Sequence, residues 1–198
     1  MAILKVAQMG HPVLRRVADP IDPDIINTPG FQQFCDDLLE TMDDYDGAGL
    51  AAPQVHHSIR VAVLTLEDDR GPEFFVNPVV TPLTDETERY YEGCLSVEGL
   101  RAAVDRPCRV RLEALDRFGV PKGYELEGFP AIVVQHEMDH LDGILFVDRC
   151  DTSTLAFLPE YKRYGPLDEL GDEPSLDLSD LEDEDLETEF VPLPQDVD

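Results

Sequence analysis

Basic residues are scarce in this sequence: 15 Lys and Arg stand against 43 Asp and Glu among 198 residues, giving a formal net charge of -28. Residues 1–166 alone hold 29 acids and 15 bases, so nonspecific binding to nucleic-acid phosphates or to anionic lipid surfaces is disfavoured. The remaining excess lies in residues 167–198, where 14 acidic residues occur without any Lys or Arg. We therefore expect no direct binding of nucleic acid by this tail.

The chain also lacks long apolar runs and paired cysteines. No apolar stretch approaches the roughly 20 residues of a membrane span. The first residues, MAILKVAQMGHPVLRR, have neither the basic and apolar stretches nor the small-residue cleavage site of a secretion signal. The four cysteines are scattered without paired spacing, which favours a reducing compartment over a disulfide framework. These absences predict a cytoplasmic protein with no membrane partner.

Hydrophobic patterning predicts an α+β fold. Thr28 and Pro29 are typical of a helix N-cap and first helical residue, and apolar residues follow at helical spacing as far as the sequence DYDGAG. Four segments rich in β-branched or aromatic residues come next, and their short connections favour antiparallel pairing: IRVAVLTLE, EFFVNPVV, CRVRLEALD and GYELEG. A second helix is predicted to begin near Pro130 and to pack centrally against the sheets.

The domain organisation follows from the same patterns. Residues 1–166 have the composition of one folded domain with a sizeable core. Residues 167–198 are acidic, low in complexity and interrupted by prolines, which is typical of a flexible tail.

The sequence QHEMDHLDG, residues 135–143, brings two histidines to one face of the second helix. His136 and His140 are four residues apart, with Cβ atoms roughly 5–6 Å from each other, so both can bind one metal ion. Glu137 is rotated by about 100° from His136, which places it beside a metal-activated water rather than among the ligands. The pattern suits metal-assisted hydrolysis. An ordinary helix carrying two imidazoles remains the alternative at this point.

A catalytic metal ion of this kind needs a third protein ligand. The sequence follows the metalloprotease pattern with a third histidine only as far as Gly143, because Phe146 occupies the position of that histidine. Downstream carboxylates such as Asp148 or Glu160 would instead suit a zinc endopeptidase. A noncatalytic metal-binding protein is the remaining alternative.

Two upstream segments offer further candidates. EGCLS, Glu92 to Ser96, places Cys94 directly after a predicted strand. GAGLAAPQ, Gly47 to Gln54, has two glycines that allow close approach of the backbone, and its Gln54 offers an amide donor and acceptor. Taken separately, a buried thiol and a plain loop explain these segments equally well.

Together and in this order, the three segments resemble the motifs of the peptide deformylase family: G-x-G-L-A-A-x-Q, E-G-C-L-S and Q-H-E-x-D-H-L-x-G. The similarity covers about residues 3 to 150 and identifies residues 1–166 as a peptide deformylase catalytic domain. It implies a hydrolase that removes the N-formyl group from the N-terminal formylmethionine of newly synthesised proteins. Formate is released, and the nascent polypeptide substrates are met near the ribosome.

The resemblance also implies a metal site and a catalytic set. Cys94, His136 and His140 bind one divalent metal ion, which is Fe²⁺ in most family members, although Zn²⁺, Ni²⁺ or Co²⁺ also suit these ligands. Glu137 carries the proton from the attacking water to the leaving amine. The Gln54 side chain stabilises the oxyanion that forms.

The resemblance implies that the backbone N–H of Leu95 is a second oxyanion donor. It also implies a set of residues that bind the substrate. An extended substrate would pair with strand edges near the glycines, and an apolar pocket would take the methionine side chain. Core packing and a surface cation are the alternatives for the two aliphatic residues and the arginine of the set. The implied substrate-binding residues are Gly47, Ala48, Gly49, Gly93, Arg101, Ile132 and Val133.

The sequence departs from the family pattern in three places. Ala48 replaces a larger apolar residue, which predicts a shallower pocket wall. SVEGLRAAVDR, starting at Ser96, lacks the Pro-Gly or Pro-Glu that often follows E-G-C-L-S, so we expect a different loop beside the site. Some family members have a basic C-terminal helix that is suited to binding ribosomal RNA, whereas this chain has an acidic tail in its place.

Overall fold

The computed structural model describes residues 2–66 and 71–167. Its α-helices are α1 (Pro23–Ile26), α2 (Pro29–Asp44), α3 (Phe129–Leu141) and α4 (Leu158–Tyr164). Its strands are β1 (Gly49–Ala51), β2 (Val61–Thr65), β3 (Pro72–Pro82), β4 (Thr87–Cys94), β5 (Val97–Pro107), β6 (Arg109–Leu115), β7 (Pro121–Glu127) and β8 (Ala156–Phe157). No helix within these ranges is long and apolar enough to cross a membrane. The predicted tail lies outside the described residues, except for Leu167.

The strands form two antiparallel sheets, as the short connections predicted. The large sheet has the order β1-β2-β3-β6-β7, and the small sheet has the order β4-β5-β8. Strand β1 is therefore an edge of the large sheet, and β4 is an edge of the small sheet. Helix α3 contacts strands of both sheets, so the expectation of antiparallel sheets around a central helix is confirmed.

Helix α2 begins where its capping residues predicted. The Thr28 hydroxyl accepts a hydrogen bond from the Phe31 N–H, and Pro29 occupies the first turn, where it has no N–H to satisfy. The buried side chains of Leu38 and Met42 then pack against one face of the large sheet. This packing fixes the loop that leaves α2 and enters β1.

Helix α3 is buried along most of its length. Val134, Met138 and Leu141 pack against the other face of the large sheet. Gly143 follows the helix with a φ of +74°, and a Cβ there would stand 2.9 Å from the backbone carbonyl carbon of Arg15. A glycine is therefore required where QHEMDHLDG ends, since a side chain would meet both an unfavourable φ and a neighbouring backbone.

The segment after EGCLS is not the loop that the sequence predicted. It forms β5, which pairs with β4 through a tight turn at Leu95 and Ser96. The alternation of apolar and polar residues that would predict this strand is interrupted in the sequence by Arg106. Arginine is normally exposed, but Arg106 points into the interior and is only 4% exposed.

Candidate metal centre

The hairpin and helix α3 bring the three predicted ligands together. Cys94 is the last residue of β4, whereas His136 and His140 lie one turn apart on α3. The sulfur of Cys94 is 3.2 Å from Nε2 of His140, and the ligand atoms of all three residues lie within 4.8 Å of one another. One thiolate and two imidazoles at this spacing fit a single transition-metal ion with a position left for water.

The carboxylates of the endopeptidase alternative are elsewhere. Asp148 is paired with Arg15 and accepts a hydrogen bond from the Leu145 N–H at 2.7 Å. Glu160 is exposed on α4. The cluster that could hold a metal ion in the described part of the chain contains a cysteine with the two histidines, and no carboxylate.

A buried chain of charges holds His136 in place. Its Nδ1 is 2.7 Å from Glu92, which leaves Nε2 as the ligand atom. Glu92 accepts two hydrogen bonds from the Arg106 guanidinium, at 2.5 and 3.0 Å. Arg106 also donates to Asp139, which accepts two further bonds from Arg149. This arrangement fixes both the orientation and the tautomer of the imidazole.

The environment moves the pKa values of the two imidazoles in opposite directions. Burial lowers the pKa of His136, but hydrogen bonds with Cys94 and Glu92 outweigh burial and raise it well above its usual value. Burial and then the charge of His136 lower the pKa of His140 well below its usual value. For Glu92, burial raises the pKa, but the bonds with His136 and Arg106 prevail and lower it. Glu92 is therefore an anion facing the imidazole.

Gln54 faces the same cluster with its amide orientation fixed. Its Oε1 accepts a hydrogen bond of 2.8 Å from the Ala51 N–H, so the Nε2 group must point the other way. There it lies 3.3 Å from the Ser96 hydroxyl and 3.6 Å from the sulfur of Cys94. A hydrogen-bond donor is thus held beside the metal ligands.

Glu137 lies against the backbone of β1. A Cβ at Gly49 would stand 2.6 Å from its Oε1, so the close approach depends on the glycine. The residue is 4% exposed, and its Oε2 has no hydrogen-bond partner among the described residues. Burial raises the pKa of Glu137 to about 7. A buried carboxylate with an unpartnered oxygen is well suited to exchanging a proton.

A pocket of about 530 Å³ opens over these residues. Edge strands β1 and β4 both contribute to its walls. The Arg101 guanidinium lies across Gly93, where a Cβ would overlap it, so this arginine is part of the wall. Ile132 and Val133 are only 3% and 8% exposed. The predicted substrate-binding residues that line the pocket are Gly47, Ala48, Gly49, Gly93, Arg101, Ile132 and Val133.

Sequence reasoning missed the aromatic residues of the pocket and the part of its wall that α4 supplies. Phe129 could have been found, since it lies one helical turn before Ile132 on α3. The other residues come from the small sheet, from α4 and from loops, and no short motif marks them. Pocket-lining residues that were missed include Gln8, Tyr45, Tyr90, Tyr91, Gly99, Phe129 and Leu158.

Comparisons of the sequence with known proteins agree with this geometry. The sequence model described as polypeptide deformylase matches residues 3–155. A peptide deformylase of Stutzerimonas stutzeri is 48% identical over 149 residues, which cover 75% of this chain and 87% of the relative. A peptide deformylase of Pseudomonas aeruginosa is 44% identical over 153 residues, covering 77% and 89% respectively.

Solved structures show the same likeness. The crystal structure of peptide deformylase from Thermotoga maritima has a TM-score of 0.72 and 36% identity, and the match covers 76% of this chain and 99% of the other. The actinonin-bound class I type b peptide deformylase from Acinetobacter baumannii has a TM-score of 0.71 and 36% identity, covering 76% and 100%. Sequence, fold and the cysteine–histidine cluster all agree, and the chain belongs to the peptide deformylase family.

Proposed function

We propose that this protein hydrolyses the N-formyl group of formylmethionine at the N-terminus of newly synthesised polypeptides, releasing formate and a free amine. The observation that carries the proposal is the meeting of Cys94 from β4 with His136 and His140 from α3, beside the buried carboxylate of Glu137. Formylated nascent chains emerge from ribosomes, so the activity belongs in the cytoplasm near the ribosome.

The metal ion proposed for the site is Fe²⁺, with Zn²⁺, Ni²⁺ or Co²⁺ as possible substitutes. Cys94, His136 and His140 would hold it, and their sulfur and nitrogen atoms suit all four ions. Fe²⁺ is favoured by the family resemblance. When bound, the ion supplies a Lewis acid that lowers the pKa of a water molecule and polarises the formyl oxygen.

Glu137 is the proposed proton carrier. It would accept the proton of the attacking water and deliver it to the nitrogen of the leaving amine. Its contact with Gly49 holds the carboxylate beside the ligands, and the unpartnered Oε2 is available to a water molecule.

Two donors are proposed for the oxyanion that develops on the formyl oxygen. The Nε2 group of Gln54 already faces the site, because its Oε1 is held by the Ala51 N–H. Leu95 directly follows Cys94 at the hairpin turn, and we assign its backbone N–H as the second donor. Donors fixed before the reaction need no reorganisation as charge develops, which lowers the barrier.

The substrate would lie extended between β1 and β4, since both are edge strands of their sheets. Gly47, Gly49 and Gly93 lie in or next to these strands and line the pocket, so they are the proposed contacts for its backbone. Main-chain pairing is indifferent to sequence, which suits an enzyme that acts on many polypeptides.

The initiator methionine would enter the apolar part of the pocket. Ile132 and Val133 form the wall that its side chain contacts. Ala48 is smaller than the residue usual in the family, so the wall on the β1 side is shallow. Arg101, held across Gly93, would contact the substrate further from the metal ion.

The test is formate release from formyl-Met-Ala-Ser by protein purified without oxygen, with its metal content measured by elemental analysis. Wild-type protein should release formate, and Glu137→Gln should retain the metal ion but lose nearly all activity. Glu127→Gln, an exposed change on β7, is the matched control and should remain fully active. Full hydrolysis by a metal-loaded Glu137→Gln protein would mean that another group carries the proton.

A further inference from the structure

Leu158, the first residue of helix α4, forms part of the wall of the pocket. Strand β8, which precedes it, pairs with β5 so that Ala156 faces Arg101. If the same antiparallel register is extended by two residues beyond the pair of Ala156 and Arg101, Leu158 comes opposite Gly99. A Cβ at Gly99 would meet no atom within 4 Å, so the space beside Gly99 is open, and both residues line the pocket.

An aromatic contact holds α4 on the small sheet. The rings of Tyr161 and Tyr91 are 5.0 Å apart with an interplanar angle of 30°. Tyr91 itself lines the pocket and lies three residues before Cys94 on β4. The position of Leu158 relative to the metal ligands is therefore set by packing within one sheet.

Leu158 follows the part of the chain that the family model matches. The family model ends at residue 155, and α4 begins at Leu158. Main-chain pairing with edge strands does not distinguish one substrate from another, so discrimination must come from side-chain contacts such as this one.

We propose that Leu158 is a specificity-determining residue that favours apolar side chains at the positions following the initiator methionine. The inference rests on the proposed function and deepens it. Leu158 is half-buried, so part of its surface is available to a substrate side chain. Burial of apolar surface at a partly open wall should raise kcat/KM by about 5-fold relative to a small residue such as alanine or serine.

The test compares three peptides: formyl-Met-Ala-Ser, formyl-Met-Leu-Ser and formyl-Met-Ala-Leu. Wild-type protein should prefer leucine at one of the two varied positions by about 5-fold in kcat/KM. Leu158→Ala should reduce that ratio to below about 2-fold. Leu155→Ala is the matched control, because Leu155 is exposed just before β8 and does not line the pocket, and it should keep the wild-type ratio.

A second variant tests the same contact through charge. Leu158→Glu should disfavour leucine and favour lysine at the position that leucine occupied best. Equal rates for all three peptides in the wild type, or an unchanged leucine preference in both Leu158 variants, would overturn the inference while the deformylase activity stands. Absence of formate release from every peptide by iron-loaded wild-type protein would instead contradict the proposed function, and the specificity inference with it.

Discussion

The two sheets contribute to the metal centre in different ways. The large sheet buries apolar side chains on both faces, and Phe75 and Leu112 on one face pack against α3. The small sheet supplies the ligand Cys94 and buries two charged residues, Glu92, which contacts His136, and Arg106, which contacts Glu92. The large sheet therefore supports the helix that carries the histidines, whereas the small sheet orients His136.

This difference has an energetic consequence. Apolar burial is nondirectional and stabilises whichever arrangement excludes water, so its loss should lower the free energy of unfolding. A buried ion pair stabilises only one geometry, and breaking it leaves a charge without a partner. Substitutions of the buried charges of the small sheet should thus affect metal binding, and substitutions of apolar core residues of the large sheet should lower stability without weakening metal binding.

Replacement of Cys94 by alanine has the largest expected effect. The site would keep two imidazoles, which is one protein ligand fewer than a catalytic ion of this type requires. We expect the purified protein to lack the metal ion and to release no formate from formyl-Met-Ala-Ser. Cys108→Ala is the matched control, because both thiols are 9% exposed and Cys108 lies outside the cluster.

The same variant separates the proposed function from the endopeptidase alternative. An endopeptidase that used a downstream carboxylate would keep its metal ion after Cys94→Ala. Retention of a stoichiometric, tightly bound ion in this variant would therefore contradict the assignment of the small sheet as the source of a ligand.

Arg106→Met should have the next largest effect, because it removes the central member of the buried charge chain. Glu92 and Asp139 would each lose a partner in the interior, which costs about 3–5 kcal/mol of unfolding free energy. Loss of support for His136 should also weaken metal binding by about 10- to 100-fold. Urea denaturation of the metal-free protein and competition with a chelator measure the two effects.

The matched control for this substitution lies on the large sheet. Arg109 on β6 is half-exposed, and its closest carboxylate, Glu127, is 3.4 Å away. Arg109→Met should change stability by less than about 1 kcal/mol, because the pair is solvated. If both arginine variants lost the same amount, burial of the charge chain would not be what distinguishes the small sheet.

Leu112→Ala on the large sheet should lower stability without affecting the metal ion. Leu112 is fully buried on the face that supports α3, and its truncation should cost about 2–5 kcal/mol through lost burial and a cavity. The folded protein should retain its metal affinity within about 2-fold, since no group in contact with a ligand changes. A fall in affinity comparable with that of Arg106→Met would contradict the division between the sheets.

The same contrast explains which parts of the fold the sequence predicted. Thr28 and Pro29 marked the start of α2, and β-branched runs marked the strands of the large sheet, because apolar periodicity reports burial directly. Strand β5 of the small sheet escaped prediction. Its interior position 106 is an arginine, whose burial depends on Glu92 and Asp139, residues that are distant in the sequence.

The residues of the candidate site also fall into two groups, those that the sequence predicted and those that it did not. His136 and Cys94 lie in short motifs, since ligand chemistry and helical spacing restrict residue type at fixed intervals. Tyr91 and Leu158 reach the pocket through strand pairing and helix packing. Apolar residues of that kind are common throughout any sequence, so no local pattern could single them out.

Asp148→Asn should have the smallest effect and tests whether burial is what makes a charge pair matter. Asp148 is paired with Arg15 near the small sheet, but both side chains are more than one third exposed. Its hydrogen bond with Arg15 lowers the pKa of Asp148 in the folded protein. The carboxylate therefore stabilises the fold at pH values above its unfolded pKa of about 4, and this contribution is lost as the pH falls through the lower folded pKa. At neutral pH the substitution should cost less than about 1 kcal/mol, because solvent screens the pair.

Urea denaturation of both proteins should give unfolding free energies that converge as the pH is lowered below about 4. A loss at neutral pH as large as that of Arg106→Met would show that a solvated pair contributes as much as the buried charge chain, and the distinction between the two environments would have to be abandoned.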